Sequence, residues 1–452
     1  MKKNYLLGMA LMASLSFYSC DKEVVYVQDG NGVESVADGA QIITLQVENG
    51  GDGLATRAGR PLYSAEAKQT IENVKLWICD GAGNVKYVKE ISDWNTDDVS
   101  TVYTTGGHGR QTTIELKDAD KLAAGTYQIY AVGYSATSDY DLTKVTEVRK
   151  TEEGGGKYTF NENMVLPCST AGEEIFAGQM ELAVEKGKGF KKPVVLNRQV
   201  AGAFAYVKDI PFMEGAKYLK LVASAQNQSL VLGNFNSFDL TGNGSGNANV
   251  KYVVNGTNGK SGSETYVIST IDLNKWFTAI KDDNGDNLID AGENWKNPCR
   301  PSSSPAAGTY PTFQKGSAFG GEFVIPFAHV DGKQTLTLQL TNAGGKVLRS
   351  WKVNLGSTDE QLKQTITCWN SGSTDWSTSL SGELANTYSL VRNHLYGIGT
   401  RMHDEANPEK PGVDPDPNPE NPNDKPESLN NKQELVLKVN DNWEVIHGME
   451  LD

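Results

Sequence analysis

The chain has 452 residues, a formal net charge of −14 at pH 7 and 38% hydrophobic residues. This length leaves room for two or three domains. The net negative charge and the lack of a basic stripe in the sequence argue against nucleic-acid binding, so no nucleic-acid partner is expected.

The chain begins with an export signal. Lys2 and Lys3 precede an apolar run, residues 5–17, which is too short to span a bilayer. The run ends in Leu15-Ser16-Phe17-Tyr18-Ser19-Cys20, which resembles the lipobox of a bacterial lipoprotein. We assign residues 1–20 to a lipoprotein signal that includes Cys20. The resemblance implies cleavage before Cys20 and lipidation of its sulfur, for example with palmitate, so that the precursor is anchored to the outer membrane through Cys20. An ordinary cleaved signal with an incidental cysteine is the alternative.

A strand is predicted ahead of the first domain, because residues 41–47 alternate with a period of two. Its apolar face consists of Ile43, Leu45 and Val47. The following segment, residues 50–58, is small and exposed in character, as is typical of proteolytic sites. Arg57 and Arg60 are the only arginines in the first hundred residues, so a trypsin-like cut after Arg57 would release the strand. We therefore interpret residues 21–57 as a propeptide; a plain loop arginine is the alternative.

Short alternating segments separated by glycine, aspartate and asparagine turns continue along the chain and indicate an all-β protein. The predicted strands are Val74–Cys79, Thr112–Leu116, Tyr127–Gly133, Ala203–Val207, Tyr218–Ala223, Tyr266–Thr270, Phe323–Phe327, Thr335–Leu340 and Lys346–Val353. One short helix is predicted at Leu273–Ile280. Strand spacing of this kind favours β-sandwiches, which we place at residues 58–196 and 197–403.

The C-terminal end is predicted to be a strand on a tether. Residues 404–431 hold seven of the sixteen prolines and predict an extended linker. In residues 432–452, seven of the nine odd positions from 435 to 451 are apolar, the pattern of a strand with one buried face. These positions are Leu435, Leu437, Val439, Trp443, Val445, Met449 and Leu451. A single strand is unstable in water, so it must dock on its own domain or in another molecule, where main-chain hydrogen bonds would supply affinity.

Residues 282–293 have the spacing of a calcium loop. The predicted ligands are Asp282, Asn284, Asp286, the carbonyl of Leu288, Asp290 and Glu293. Hard oxygen ligands at this spacing suit Ca²⁺ in a structural role. Asn287 stands where glycine is usual, but asparagine tolerates the left-handed turn required there. An acidic surface loop without a metal is the alternative.

No catalytic constellation is found, so the chain is not expected to be an enzyme. GxSxG, HExxH and phosphate-loop patterns are absent, and the five histidines form no metal-spaced pair. Four tryptophans would stack on sugars if exposed, although core packing is the alternative: Trp276, Trp295, Trp369 and Trp376. Four cysteines follow the signal without CxxC spacing, and disulfides and unpaired thiols both remain open: Cys79, Cys168, Cys299 and Cys368.

Several stretches, taken in this order, resemble the fimbrillins, the subunits of type V pili from Gram-negative anaerobes. They are the lipobox ending at Cys20, Thr56-Arg57-Ala58, Glu174-Ile175-Phe176-Ala177-Gly178, Val195-Leu196-Asn197-Arg198-Gln199-Val200-Ala201-Gly202, Arg392-Asn393-His394-Leu395-Tyr396, and a tail strand with Trp443.

The resemblance implies two tandem transthyretin-like β-sandwich domains with a flexible C-terminal donor-strand tail. It also implies cleavage after Arg57 at the cell surface, loss of the strand at residues 41–47, and filling of the opened groove by a neighbour's tail. The protein would then be a structural subunit of a surface pilus that supports adhesion, with other pilus subunits as partners. The alternative is a surface glycan-binding lipoprotein of β-sandwich domains, which needs neither the tail nor the cut.

Overall fold

The computed structural model describes residues 26–28, 34–36, 39–48, 71–103, 109–138, 140, 149–150, 158–159, 163–168, 173–233, 252–298, 313–327, 336–356, 366–380, 390–399, 425–430 and 434–440. These residues form an all-β structure, as the alternation predicts, because strands account for nearly all of its regular elements.

The strands are β1 (Tyr26–Gln28), β2 (Glu34–Val36), β3 (Gln41–Glu48), β4 (Asn73–Asp80), β5 (Val85–Ile91), β6 (Thr101–Tyr103), β7 (Gly109–Leu116), β8 (Gly125–Tyr134), β9 (Arg149–Lys150), β10 (Tyr158–Thr159), β11 (Val165–Pro167), β12 (Ile175–Val184), β13 (Phe190–Arg198), β14 (Ala201–Lys208), β15 (Ala216–Gln226), β16 (Ser229–Val231), β17 (Tyr252–Val254), β18 (Gly256–Thr257), β19 (Lys260–Asp272), β20 (Ala318–Val324), β21 (Leu336–Asn342), β22 (Val347–Gly356), β23 (Ile366–Asn370), β24 (Asp375–Leu380), β25 (Leu395–Ile398), β26 (Glu427–Ser428) and β27 (Glu434–Asn440). A 3-10 turn spans Asp118–Asp120 and one α-helix, α1, spans Leu273–Trp276.

The first large sheet has the strand order β5-β4-β8-β12-β13-β3-β7-β6, and β2 adds to β13. Strands β12 and β13 share only two register pairs, Phe176 with Arg198 and Ala177 with Asn197. Side chains from both halves of this order nevertheless pack into one core cluster. The sheet therefore turns on itself at β12–β13 and forms two layers around that core, as in a sandwich.

The second large sheet has the order β19-β15-β21-β22-β27-β25-β14-β20, with β26 beside β14. Apolar residues from all eight strands of this order belong to one cluster of buried side chains. Trp351 of β22 and Tyr206 of β14 are among its largest members, and both are fully buried.

The core of the second sheet continues onto the outer face of the first. Trp77 of β4 and Tyr130 of β8 belong to the same cluster as the second sheet's residues. Their neighbours Leu76 and Ile129 belong to the core inside the first sheet, because successive strand residues point to opposite faces. The two sheets thus share a continuous apolar contact instead of being joined by a linker alone.

Most predicted strands coincide with observed ones, and two predicted elements differ. The strand predicted at Phe323–Phe327 lies earlier, as β20, and the predicted helix ends at Trp276 instead of Ile280. Within the described ranges, the helices fall short of the length and apolarity that a bilayer crossing requires.

Candidate functional site

Strand β3, which precedes the predicted cleavage site, lies in the interior of the first sheet. It runs parallel to β13 along seven register pairs and antiparallel to β7 along eight. Its inward residues Ile43, Leu45 and Val47 are each 0% exposed. A chain segment that would be removed by a cut after Arg57 therefore supplies three core side chains and two backbone ladders.

The first residue of β3 is held by a side-chain clamp. The Gln41 Nε2 donates to the Leu122 carbonyl at 2.9 Å, and the Leu122 backbone N–H donates to the Gln41 Oε1 at 2.7 Å. Gln41 is 5% exposed, so both hydrogen bonds are shielded from water. Further along, the Gln46 Nε2 donates to the Gln111 Oε1 of β7 at 3.0 Å.

On the other side of β3, strand β13 carries a proline where β3 pairs with it. Pro193 lies opposite Thr44, and within the described residues this is its only ladder partner. Proline has no backbone N–H and within sheets is confined to edge strands, strand starts and bulges. Within the described residues β13 is therefore paired on one side only at Pro193, and the unpaired side away from β3 accommodates a residue without an N–H.

The C-terminal strand docks on its own domain in this single chain, which is one of the two alternatives that the sequence leaves open; donation to another molecule stays a prediction. In this single chain β27 lies inside the second sheet, parallel to β22 and antiparallel to β25. Leu435 is 1% exposed and belongs to the core cluster. The alternation at Leu437 and Val439 continues through the end of β27, while Trp443, Val445, Met449 and Leu451 lie outside the described residues. The physical reason is that β22 and β25 each present backbone N–H and carbonyl groups on the side facing β27, and these groups satisfy the backbone of a strand from the same chain.

The predicted linker at 404–431 also ends earlier than expected. Strand β26 pairs parallel with β14, and the Leu429 N–H donates to the Lys208 carbonyl at 2.9 Å. Leu429 is fully buried. A Cβ on Gly399 would lie 2.2 Å from the Tyr206 carbonyl and 3.0 Å from the Glu427 nitrogen, so only glycine lets these segments approach. The end of the tether is thereby fixed to the sheet just before β27.

Three stretches that carry the sequence resemblance meet between the two sheets. Glu174 and Arg198 form a fully buried ion pair, in which the Arg198 Nε donates to the Glu174 Oε1 at 2.9 Å. Burial lowers the pKa of Arg198, and the charge and hydrogen bond of Glu174 oppose that shift. The guanidinium also lies 4.9 Å from the Phe176 ring centroid. This contact ties the start of β12 to the end of β13.

The third stretch joins the same region through Arg392. Its Nη1 donates to the Gly233 carbonyl at 2.8 Å and to the Gln199 Oε1 at 3.3 Å. Burial lowers the pKa of Arg392 well below its usual value. The Gly202 N–H donates to the His394 carbonyl at 3.1 Å, so the residues before β25 brace those that open β14. These motif residues hold the sheets together and show no catalytic arrangement.

The predicted calcium loop has a compact backbone organised by Asp282. Its Oδ1 accepts from the Gly285 N–H at 2.8 Å and its Oδ2 from the Asn287 N–H at 3.0 Å. Asn287 has φ +63°, the left-handed conformation expected of it. Ile289 is 5% exposed, and its N–H donates to the Ile210 carbonyl, which fixes the loop to the sheet. In the described part of the chain, however, no three His, Cys, Asp or Glu side chains converge as a metal site, so calcium stays a prediction.

The other predicted site residues are distributed as follows. Cys20 and Arg57 lie outside the described residues. Trp276 is fully buried, as the core interpretation predicts. Trp369 and Trp376 are partly buried and meet edge to face with ring centroids 5.2 Å apart, and Trp295 is partly buried, its Nε1 donating to the Ser317 carbonyl at 2.7 Å. Thiols are carried by Cys79, Cys168 and Cys368, and Cys299 lies outside the described residues.

Comparison with known proteins gives structural neighbours only. No family model and no curated protein matches the sequence. Among solved structures, a candidate cell adhesion protein from Parabacteroides distasonis has a TM-score of 0.39 at 10% identity, covering 89% of this chain and 96% of that one. A fimbrial assembly protein from the same species has a TM-score of 0.31 at 12% identity, with 79% and 90% covered. The fimbrial anchor protein Mfa2 from Porphyromonas gingivalis has a TM-score of 0.30 at 10% identity, with 75% and 94% covered.

These neighbours are a fimbrial assembly protein, a fimbrial anchor protein and a cell adhesion candidate. At TM-scores below 0.4 they assign no role to any residue of this chain.

Proposed function

We propose that this protein is a non-enzymatic structural subunit of a cell-surface pilus. In this proposal it is exported as an outer-membrane lipoprotein through Cys20, cleaved after Arg57, and polymerised when the C-terminal tail of one subunit enters the slot left by β3 in the next. The assembled fimbrium supports adhesion. Its partners are other pilus subunits, arranged head to tail.

The observation that carries the proposal is the position of β3. A strand located before the predicted cut fills an interior slot, so its removal exposes two unpaired strand edges and three core positions. Burying three large apolar side chains is worth about 6 kcal/mol before ordering costs. Exposed edges and apolar rows of this kind pair readily with another strand. Because donation is head to tail and does not close, it produces a filament.

The first sheet also has contacts that do not depend on β3. The buried ion pair of Glu174 and Arg198 lies at the fold between the two layers and does not involve β3. The rest of the first sheet can therefore persist while the slot changes its occupant.

The placement of β27 in its own sheet is the one observation that favours the alternative, a surface glycan-binding lipoprotein. In that case β27 is a permanent strand and β3 stays in place. For the pilus proposal, β27 is the stored position of the tail before a neighbour's slot opens. The two functions differ in whether the mature chain loses β3.

The decisive experiment is mass spectrometry of the surface-exposed protein together with an arginine substitution. We expect the mature chain to begin at Ala58 and Arg57→Ala to abolish the SDS-resistant high-mass polymer, because β3 then stays in its slot. Arg60→Ala, three residues away, is the matched control and should polymerise normally. A mature chain that retains residues 41–48, or unchanged polymer from Arg57→Ala, would overturn the pilus function.

We also propose that the loop from Asp282 to Glu293 binds a structural Ca²⁺. The sequence spacing supports this, and so does the left-handed turn at Asn287. The loop lies on the second sheet, away from β3, so calcium would stabilise the subunit without taking part in strand exchange.

A further inference from the structure

Resting on the proposed function, we infer that the tail enters the neighbour's slot in one register, which is fixed by a glutamine at its start. In that register Gln433 takes the place of Gln41. Leu435, Leu437 and Val439 then take the places of Ile43, Leu45 and Val47.

At the end of the slot where β3 begins, two buried backbone groups need hydrogen-bond partners from the strand that fills it. Both backbone groups of Leu122 are bound by the Gln41 side chain, at 2.9 and 2.7 Å. Leu122 and Gln41 are 9% and 5% exposed, so water does not readily replace the amide. An occupant without an amide here leaves a buried N–H and a buried carbonyl unpaired, which is costly. The Leu122 backbone therefore selects for glutamine at this position.

The tail meets this demand at one position. Gln433 is the only glutamine after Gln364, and it stands two residues before Leu435, just as Gln41 stands two residues before Ile43. Both segments therefore read as glutamine followed by three apolar residues at alternate positions. Since alternate residues share a face, the glutamine and the apolar row point to the same side of the strand.

Other registers fail on the same residues. A slip of one residue turns the apolar row outward. A slip of two residues in one direction puts Gln433 at the buried place of Ile43. A slip of two in the other direction puts Leu435 against Leu122 and Asp441 at the buried place of Val47.

The aligned tail also removes a defect of β3. The Thr44 Oγ1 is buried and has no hydrogen-bond partner among the described residues. Val436 aligns with Thr44, has nearly the same shape and carries no polar atom. A buried hydroxyl without a partner disfavours its occupant, so the tail fits this position better than the strand it replaces.

The direction of the tail strand relative to its neighbours suits the exchange. In its own sheet β27 is parallel to one neighbour and antiparallel to the other, and β3 has the same pair of relations in its slot. A strand that moves from the first kind of slot to the second regains the same kinds of backbone ladder.

Cross-linking of full-length chains tests the register directly. Glu434 would take the place of Ile42, whose register partner on β7 is Glu115. Directly opposed Cα atoms in an antiparallel pair are about 4.5–5.5 Å apart, within disulfide range, whereas diagonal positions are about 7–8 Å apart. In its own sheet Glu434 faces Lys352, so a link to residue 115 reports exchange between chains.

We expect oxidised polymer of Glu434→Cys with Glu115→Cys to show a disulfide-linked ladder. Glu434→Cys with Thr113→Cys, an exposed position two residues away, should link at least about tenfold less. Polymer that links instead to Thr113→Cys, or from Glu444→Cys to Glu115→Cys, would overturn the register and leave the pilus function standing. Absence of polymer would overturn both.

A pair of substitutions tests the glutamine itself. Gln433→Leu should slow polymer growth by about tenfold or more, because two buried backbone groups then lose their partners. Lys432→Leu, on the opposite face, is the control and should leave growth unchanged. Gln41→Leu should act in the other direction and speed release of the N-terminal peptide after cleavage. Equal growth of Gln433→Leu and wild type would contradict the selection by Leu122.

Discussion

Shortening Leu435 to alanine tests whether the tail is stored in its own sheet in solution. Leu435 is 1% exposed and pairs with Val353 of β22, close to the fully buried Trp351. If β27 occupies this position, the substitution creates a cavity in the second core. If the tail is free in solution, the same substitution changes only an exposed side chain.

The expected loss is large enough to separate these cases. Leu→Ala at a buried site costs about 2–5 kcal/mol, from lost transfer free energy and from the cavity left behind. With an m-value of about 3 kcal/mol/M in urea, this shifts the unfolding midpoint by about 1 M. A substitution on an exposed side chain stays within about 0.5 kcal/mol.

Urea unfolding followed by circular dichroism measures this shift, and Glu434→Ala is the matched control. Glu434 is the exposed neighbour of Leu435, and its ion pair with Lys352, 3.5 Å across the strands, contributes little. Hydrogen exchange of β22 and β25 should also become faster in Leu435→Ala alone. Equal midpoints for Leu435→Ala and wild type would refute the placement of β27, and the tail would then be free for donation from the start.

Three further predictions concern the calcium loop, the ion pair and a thiol. Millimolar calcium should raise the melting temperature of wild type but not of Asp282→Asn, because a ligand bound only by the native state stabilises it; calorimetry without heat in wild type would dismiss the site. Glu174→Ala should reduce the free energy of unfolding by about 3–5 kcal/mol in urea unfolding, because Arg198 loses its buried partner. A variant with the same free energy of unfolding as wild type would contradict this. Burial, with a smaller effect of a nearby aspartate, raises the pKa of Cys79 to about 12, so its thiol stays protonated at neutral pH and iodoacetamide should label it only after unfolding. Rapid labelling of the native protein would show that β4 opens.

The sequence predicts strands well where one face alternates, and less well where glycine replaces the pattern. β20 contains Phe319-Gly320-Gly321, so its alternation is interrupted and the predicted strand falls too late. A Cβ on Gly320 would lie 2.8 Å from the Ile271 Cγ1, which means that packing against β19 demands glycine here. The predicted helix stops at Trp276 because Phe277 is extended and bridges to Trp295. Both differences come from contacts with distant parts of the chain.

The polar part of the candidate site is also beyond sequence reasoning. Gln41 binds the backbone of Leu122, which is 81 residues away, and nothing in either local sequence marks the pair. The sequence does single out Glu174 and Arg198, because both residues lie in stretches that carry the family resemblance. Their contact itself depends on the turn of the sheet at β12–β13, which strand spacing does not reveal.

The two terminal strands show why alternation alone cannot decide where a strand docks. Ile43, Leu45 and Val47 define a face, and so do Leu435, Leu437 and Val439, but each face fits any slot with an apolar floor. The single chain resolves this ambiguity by proximity, because β26 holds the root of the tail beside its own sheet. Between chains proximity no longer decides, and a specific contact must take over. In the slot of β3 that specific contact is made by the Leu122 backbone, whose N–H and carbonyl both need a side-chain amide as partner. For this reason a glutamine at the start of the strand, and not the apolar row, determines the register of exchange.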